Sequence, residues 1–230
     1  MQQLETFYKK GISVGHGISE GCKLVMNSIS LDRHLNIILL FIVFFETSVL
    51  VFLQIDKKSI WLDEASSIAV ADLNWRNLFH LFSFREANQG FYYILLKLWL
   101  PLGKSEFAIR GLSAVFAIVS VPFIYGIGSR LFTPQAGLLA ALFLSVNAFF
   151  IEFAQEARGY SLLLLLVIVS TYYFIKTINQ PFLINKFGYV ITSSLAVYTH
   201  FFAVLVLIAH GFSLILLNKK YFRLRQEFKR

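Results

Sequence analysis

Successive apolar segments constrain this chain more than any other feature of its sequence. Residues 35–54 read LNIILLFIVFFETSVLVFLQ, and about 20 such residues are enough to cross the roughly 30 Å hydrocarbon core of a bilayer. Further apolar segments cover residues 108–129, 135–152, 159–175, 187–199 and 201–217. With 57% hydrophobic and 15% charged residues, the chain has more apolar surface than a soluble domain of 230 residues buries. We therefore predict an all-α, polytopic helical bundle with about six transmembrane helices.

A further apolar run, GFYYILLKLWLPLG at residues 90–103, is too short to cross a bilayer and contains Lys97. Runs of this length are typical of interfacial or re-entrant segments. We therefore assign it to one large extracytoplasmic loop over residues 55–107, which also holds all three Trp of the chain. Trp favours the headgroup level, and residues 70–84 have the pattern of an amphipathic helix. The loop is expected to rest along the membrane with interfacial helices.

The distribution of charge predicts the orientation in the membrane. The net charge of +8 is concentrated in the tail KKYFRLRQEFKR, which directly follows the last apolar segment. A basic flank of this kind is typical of membrane topology signals and of contact with anionic lipid, so we predict no nucleic-acid partner. With six spans, most Lys and Arg fall on the side of the termini, which the positive-inside rule places in the cytoplasm. The predicted organisation is a cytoplasmic segment 1–34, a membrane module 35–218 and a basic cytoplasmic tail 219–230.

Two arrangements fit residues 187–217. Two short helices would meet near residues 198–200, where no Gly or Pro marks a turn. One long tilted helix would need no turn. The sequence leaves both open.

Two neighbouring carboxylates, Asp63 and Glu64, follow Trp61 and Leu62 in the stretch SIWLDEASS. A carboxylate at the membrane surface can act as a general base toward a hydroxyl, or bind a hard cation such as Mg²⁺. The alternative is structural, because acidic residues in the first turn of a helix complement the helix dipole. Spacing alone leaves both interpretations open.

A second group of polar residues, QEARGY at 155–160, is predicted at the end of the third span, on the same face as Asp63. The planar guanidinium of Arg158 suits a phosphate group, and Glu156 can hold a metal or orient Arg158. His200, in the motif YTH, reaches the same face and can bind a phosphate or a metal. The alternatives are a Glu and an Arg that only reach the membrane surface, and a structural His.

Glu46 lies near the middle of the first span, where an ionised carboxylate is costly and is a functional candidate by default. The alternative is a protonated or paired Glu that faces another helix, with His210 as a possible partner. Thr47 and Ser48 beside it favour a helix-packing face.

Five motifs occur in a fixed order along the chain: WLDE, NQGFYYILLKLWLPLGKSEFAIRGLSAV, YGIGSRLF, AGLLAALFLSVNAFFIEFAQEARGYSL and LAVYTHFF. Their order over about residues 35–217 resembles the amino-terminal half of the membrane glycosyltransferases of the GT-C superfamily. The closest group is the bacterial branch similar to dolichyl-phosphate-mannose protein mannosyltransferases and lipid A aminoarabinose transferases. Gly90 and Phe91 stand where that family usually has prolines.

The resemblance implies that a sugar passes, with inversion, from a polyprenyl-phosphate donor to a hydroxyl of a glycan, lipid or protein acceptor on the outer face of the cell membrane. It makes Asp63 the catalytic base, with Glu64 and Glu156 as further catalytic residues. Arg158, Tyr160 and His200 are the expected substrate-binding residues. No cofactor is assigned, and the need for a divalent cation stays open.

Two other functions fit the sequence. Members of this family are several hundred residues long, so the chain could be a truncated or non-catalytic subunit that binds lipid-linked sugar. It could also be a transporter or flippase-like protein that uses Glu46 as a proton site.

Overall fold

The structure, a computed structural model, describes residues 34–84 and 88–227, with side chains to residue 216. The predicted amino-terminal segment up to residue 33 and the side chains of the basic tail lie outside the described residues. Within them every regular element is helical, so the all-α prediction is confirmed. The elements are α1 (His34–Phe52), α2 (Leu62–Asp72), α3 (Trp75–Phe84), α4 (Gly90–Trp99), a 3-10 turn (Leu100–Leu102), α5 (Glu106–Leu131), α6 (Pro134–Ser145), α7 (Ala148–Ala154), α8 (Tyr160–Asn179), α9 (Leu183–Thr199) and α10 (Ala203–Glu227).

The chain divides into two compact units, Met1–Ile42 and Val43–Arg230. Of the first unit, the structure describes the beginning of α1. All contacts discussed below belong to the second unit. The predicted boundaries of the membrane module stay predictions, although α10 runs through the one at residue 218 without a break.

In the described part of the chain, three helices are long and apolar enough to cross a membrane, namely α1, α5 and α8. A fourth span exists if α6 and α7, which are bent by 62° relative to each other, count as one. The candidate span over residues 135–152 is therefore not one straight helix, and as a bent span it stays a prediction. The helix breaks because the Asn147 side chain accepts a hydrogen bond from the Phe150 amide and caps a new helix. The predicted count of six stays a prediction.

Of the two arrangements open for residues 187–217, the structure has two helices. The backbone of His200 is extended between α9 and α10 (φ −163°, ψ 132°), and its Nδ1 accepts a hydrogen bond from the Phe202 amide at 3.3 Å. This local bond stabilises a turn that contains neither Gly nor Pro.

Close approach of small residues joins α5 to α6. Helices α5 and α6 are antiparallel neighbours, and a Cβ added to Gly128 would lie 2.7 Å from the Cα of Gly137. A Cβ on Gly137 would in turn lie 2.6 Å from the carbonyl oxygen of Tyr125. Contacts between small residues of this kind are typical of helices packed in membranes.

Helices α2, α3 and α4 cover the end of the bundle where α5 and α8 begin, which we call the site end. The α4 residues Tyr92 and Leu96 are fully buried, and Leu78 of α3 joins the same core. Lys97, the charge inside the short apolar run, donates hydrogen bonds to the carbonyls of Ala71 and Leu73 at the end of α2. A cation at a helix carboxyl terminus is favourable, which explains a Lys in this segment.

Candidate functional site

Asp63 and Glu64 lie in the first turn of α2, where acidic side chains complement the helix dipole. Glu64 Oε2 accepts a hydrogen bond from the Trp61 amide at 3.4 Å. The two side chains nevertheless differ in environment: that of Asp63 is 43% exposed and that of Glu64 is 1% exposed. Because consecutive helical residues point in different directions, each carboxylate meets a different arginine.

Glu64 forms a buried ion pair with Arg110, the fifth residue of α5. Arg110 Nε donates to Glu64 Oε1 at 2.8 Å and Arg110 Nη2 to Glu64 Oε2 at 2.7 Å, which is a bidentate pair. Its Nη1 donates to the carbonyls of Ile55 and Lys58 at 2.8 and 2.6 Å. We call this arrangement the buried clamp. It ties the loop between α1 and α2 to the beginning of α5.

The Glu64 carboxylate also accepts a hydrogen bond from the backbone amide of Ala157, at 2.9 Å. Burial disfavours the ionised carboxyl, but the hydrogen bonds from Arg110 and Ala157 outweigh burial and lower the pKa of Glu64 below its ordinary value. Glu64 is therefore ionised at neutral pH, and both of its oxygens have donors.

Asp63 meets Arg158 on the other side of α2. The Asp63 Oδ2 lies 3.5 Å from Arg158 Nη2, and Arg158 Nη1 donates to the Asp63 carbonyl at 3.4 Å. The guanidinium carbon lies 5.6 Å from the ring centroid of Tyr160. The buried Nε of Arg158 donates no hydrogen bond among the described residues. We call Asp63 and Arg158 the open pair, because the Asp63 side chain is 43% exposed.

The loop that carries Arg158 is fixed by hydrogen bonds from other elements. Ser113 of α5 donates to the Arg158 carbonyl at 3.2 Å, and the Gly159 amide donates to Gln89 Oε1 at 3.2 Å. Gln89 is itself buried with a positive φ of 64°, and its backbone N–H donates to the Thr199 carbonyl at 3.1 Å. Arg158 is thus placed by α4, α5 and α9 together.

Gln155, at the start of the same loop, caps the carboxyl end of α1. Its Nε2 donates to the carbonyls of Leu50, Val51 and Leu53 at 3.4, 3.1 and 2.9 Å. The last carbonyls of a helix lack partners within the helix, so this side chain satisfies groups that would otherwise need water. The cap links α1 to the Arg158 loop.

A cavity of about 350 Å³ lies beside the buried clamp. Trp61, Lys58, Glu152 and Glu156 line it together with Glu64 and Arg110. Burial and the charges of Glu64 and Glu152 raise the pKa of Glu156 above its ordinary value. Glu156 therefore faces this cavity, while its neighbour Arg158 belongs to the open pair.

An apolar groove of about 470 Å³ runs between α6, α7 and α8. Its walls include Leu144, Phe150, Phe153 and Leu164, and Tyr160 lines it as well. Because Tyr160 also contacts the Arg158 guanidinium, the groove begins next to the open pair.

The remaining candidates lie in other contacts. The His200 side chain contacts Phe202 in the turn before α10, with ring centroids 4.8 Å apart. Ser145 Oγ donates to Glu46 Oε2 at 3.0 Å. His210, considered above as the partner of Glu46, instead lies within 3.2 Å of Thr171 Oγ1 and 3.3 Å of Tyr189 OH. The pairing of Glu46 with His210 is therefore not found.

Among the described residues, no three side chains of His, Cys, Asp or Glu are grouped as ligands for a metal ion. The described residues therefore point to no ligand set for a divalent cation, and the need for one stays open.

Sequence reasoning missed Arg110, Gln89 and Gln155. Arg110 had a usable signal, since an Arg inside an apolar helix needs an anionic partner. Gln89 and Gln155 had none, because an amide side chain that caps distant backbone groups carries no sequence pattern. Their roles depend on which loops the tertiary structure brings together.

Comparison with known proteins matches the chain to a family model. The sequence model of the family described as "Dolichyl-phosphate-mannose-protein mannosyltransferase" matches residues 90–228, which is more than half of the chain. The match includes Arg110, Arg158, Tyr160 and His200, and it begins after Asp63 and Glu64. No curated protein and no solved structure gives a significant match. The chain belongs to the dolichyl-phosphate-mannose-protein mannosyltransferase family, in agreement with the resemblance of its motifs.

Proposed function

We propose that this membrane glycosyltransferase of the GT-C type transfers a sugar from a polyprenyl-phosphate donor to an acceptor hydroxyl, with inversion at the anomeric carbon. The observation that carries the proposal is the open pair, which places a half-exposed carboxylate 3.5 Å from a guanidinium. These are the two groups that such a transfer requires, a base for the acceptor and a cation for the leaving phosphate.

In the proposed reaction, the acceptor oxygen attacks the anomeric carbon while Asp63 takes the hydroxyl proton. The bond between the anomeric carbon and the phosphate oxygen breaks, and polyprenyl phosphate leaves with the bonding electrons. Arg158, whose guanidinium lies beside Asp63, stabilises the charge that develops on this phosphate. A single displacement of this kind inverts the configuration.

The apolar groove supports a polyprenyl donor. It starts at Tyr160, which also contacts Arg158, so a phosphate on Arg158 would leave its hydrocarbon chain directed along α8. We place the sugar and the acceptor on the exposed side of Asp63, where α2 leaves the carboxylate open. We propose that the acceptor hydroxyl belongs to a glycan, a lipid or a protein.

Glu64 is proposed as a positioning residue, since both of its oxygens already accept hydrogen bonds. The buried clamp fixes the beginning of α2 against α5 and the Arg158 loop, and thereby sets the distance between Asp63 and Arg158. Glu156 is proposed to supply a polar group to the wall of the cavity beside the buried clamp. His200 stays a predicted binding residue.

We further propose a multi-pass arrangement in the cell membrane, with both termini in the cytoplasm and the site end at the outer surface. The excess of basic residues on the side of the termini supports this orientation.

The test measures release of polyprenyl phosphate from a radiolabelled polyprenyl-phosphate sugar by membranes that contain the protein. Asp63→Asn is expected to lower the rate by about 10² to 10⁴, because general-base assistance is lost. The matched control is Asp72→Asn at the other end of α2, whose side chain is 64% exposed and pairs with Lys104. Its rate should equal that of the wild type.

Two outcomes would overturn the proposal. The first is wild-type turnover by Asp63→Asn, and the second is an equal loss in both Asp variants. Saturable donor binding by the wild type without any release would instead identify a binding subunit. A product that retains the anomeric configuration of the donor would exclude inversion.

A further inference from the structure

A second polar cluster lies at the end of the bundle opposite the site end. Arg130 is in the last turn of α5, 20 positions after Arg110. At 1.5 Å per residue, the two arginines are about 30 Å apart along the helix, which is the thickness of the hydrocarbon core. A cavity of about 340 Å³ opens here between α5 and α8, with Pro122, Phe123 and Tyr172 among its walls. We call it the α5–α8 pocket.

The guanidinium of Arg130 is held in place at the mouth of this pocket. Its Cζ lies 4.4 Å from the ring centroid of Tyr172, and its Nη1 donates to the Gly126 carbonyl at 3.0 Å. Gly126 leaves room for both contacts, since a Cβ there would lie 3.0 Å from Tyr172 Cε2 and 3.3 Å from Arg130 Nη1. A guanidinium has five N–H groups, and this bond to Gly126 is the one that Arg130 makes among the described residues.

On the described helices that surround this pocket, the charged side chains at this end are all positive. The sequence has no Asp or Glu at residues 107–151 or 157–226. Helices α5, α6, α8 and α9 therefore bring only cations to this end of the bundle, namely Arg130, Lys176 and Lys186. The Lys176 Nζ lies 6.0 Å from the centroid of the same Tyr172 ring. An anionic ligand is favoured, and the ammonium of a zwitterionic head group would find no carboxylate on these helices.

We propose that the α5–α8 pocket binds the head group of an anionic phospholipid, in the leaflet opposite the open pair. The guanidinium of Arg130 takes the phosphate, as is typical of this side chain. Pro122 and Phe123, further inside α5, contact the beginning of the acyl chain. These apolar walls favour a lipid over a soluble phosphate, which would use the charged mouth alone. Basic pockets between transmembrane helices are suited to such lipids.

The experiment uses the purified full chain in neutral detergent and measures saturable binding of phosphatidylglycerol by native mass spectrometry. Phosphatidylcholine of the same acyl chains and soluble glycerol phosphate are the competing ligands. Wild-type protein should bind phosphatidylglycerol in preference to both. Arg130→Gln should weaken this binding about fivefold or more, as expected for one cation at the membrane surface. The control Lys186→Gln removes an exposed charge from the same end and should change binding less than twofold.

Equal binding of phosphatidylcholine would overturn the proposal, as would wild-type affinity in Arg130→Gln. Displacement of the lipid by glycerol phosphate at similar concentration would identify a site for free phosphate instead. If Arg130→Gln does not fold, Arg130→Lys serves as the second variant. Arg130→Lys keeps the charge but loses the planar contact with Tyr172. Its affinity for phosphatidylglycerol should therefore be lower than that of the wild type and of Lys186→Gln, but should not be lost entirely. Unchanged affinity in Arg130→Lys would exclude a specific role for the guanidinium.

Discussion

Two ion pairs start from neighbouring residues of α2, and they differ in almost every physical respect. The buried clamp joins Glu64 to Arg110 with side chains that are 1% and 3% exposed, in a bidentate geometry. The open pair joins Asp63 to Arg158 at 3.5 Å, with side chains that are 43% and 13% exposed. The comparison shows how one helical turn can present one carboxylate to the protein and the other to a ligand. Burial and full hydrogen bonding suit a structural role, whereas a long, partly exposed contact suits a site.

The largest effect should come from breaking the buried clamp. Arg110→Met leaves the Glu64 carboxylate buried without a cation, which should lower the free energy of unfolding by about 3–5 kcal/mol. Denaturant unfolding in detergent measures this loss. The control Lys104→Met breaks the exposed pair with Asp72 and should change stability by less than about 1 kcal/mol. Adding Glu64→Gln to Arg110→Met should restore part of the loss, and equal effects of the two single variants would contradict a special role for burial.

Breaking the open pair should affect activity rather than stability. Arg158→Gln is expected to lower donor turnover by about 10² to 10³, the usual effect of losing one group that stabilises a leaving charge. The free energy of unfolding should change by about 1 kcal/mol or less, because the pair is partly exposed. Arg158→Lys should recover some donor binding. A stability loss as large as that of Arg110→Met, with unchanged donor binding, would reverse the assignment of the two pairs.

Removing the Gln155 side chain, which caps α1, tests how strongly the Arg158 loop is anchored. Gln155→Ala removes the donor to three carbonyls at the end of α1 and should cost about 1–2 kcal/mol of stability. The matched control is Gln135→Ala on the exposed surface of α6, where an effect within about 0.5 kcal/mol is expected. Thermal unfolding of both variants gives the comparison. A loss no larger than that of the control would show that water replaces the cap without cost.

The smallest effect, and the one that depends on pH, concerns Glu156. Burial and the nearby carboxylates raise the pKa of folded Glu156 above the ordinary value of 4.5. Ionised Glu156 therefore lowers the free energy of unfolding. The contribution of Glu156 to this free energy is most favourable below pH 4.5 and is lost as pH rises through the folded pKa. Glu156→Gln should be more stable than the wild type at neutral pH, with a difference that shrinks on acidification.

Glu64 provides the opposite case, since its pKa is lowered on folding. Its contribution to stability is present above pH 4.5 and is lost as pH falls through the folded pKa. Unfolding of the wild type, Glu156→Gln and Glu64→Gln, measured between about pH 2 and pH 8, separates the two. If the difference in the free energy of unfolding between wild type and variant changed with pH in the same direction for both variants, the assigned environments would be contradicted.

The sequence predicts the helical class and the positions of α1, α5 and α8, because a long apolar run in a membrane has few alternatives to a helix. It also predicts that Asp63 and Arg158 belong to one face of the bundle. It did not predict the break at Asn147, since a capping Asn inside an apolar run also fits an uninterrupted helix. Nor did it identify Glu64 as the partner of Arg110, because the two residues are 46 positions apart in the chain.

The sequence by itself therefore determined the family, the helical architecture and the residue types available for chemistry, because these follow from local composition and motif order. The tertiary structure alone decided which of the two neighbouring acids is buried and which stays open. That decision depends on the direction in which each side chain leaves α2, and on the loops that bring Arg110 and Arg158 to opposite sides of that helix.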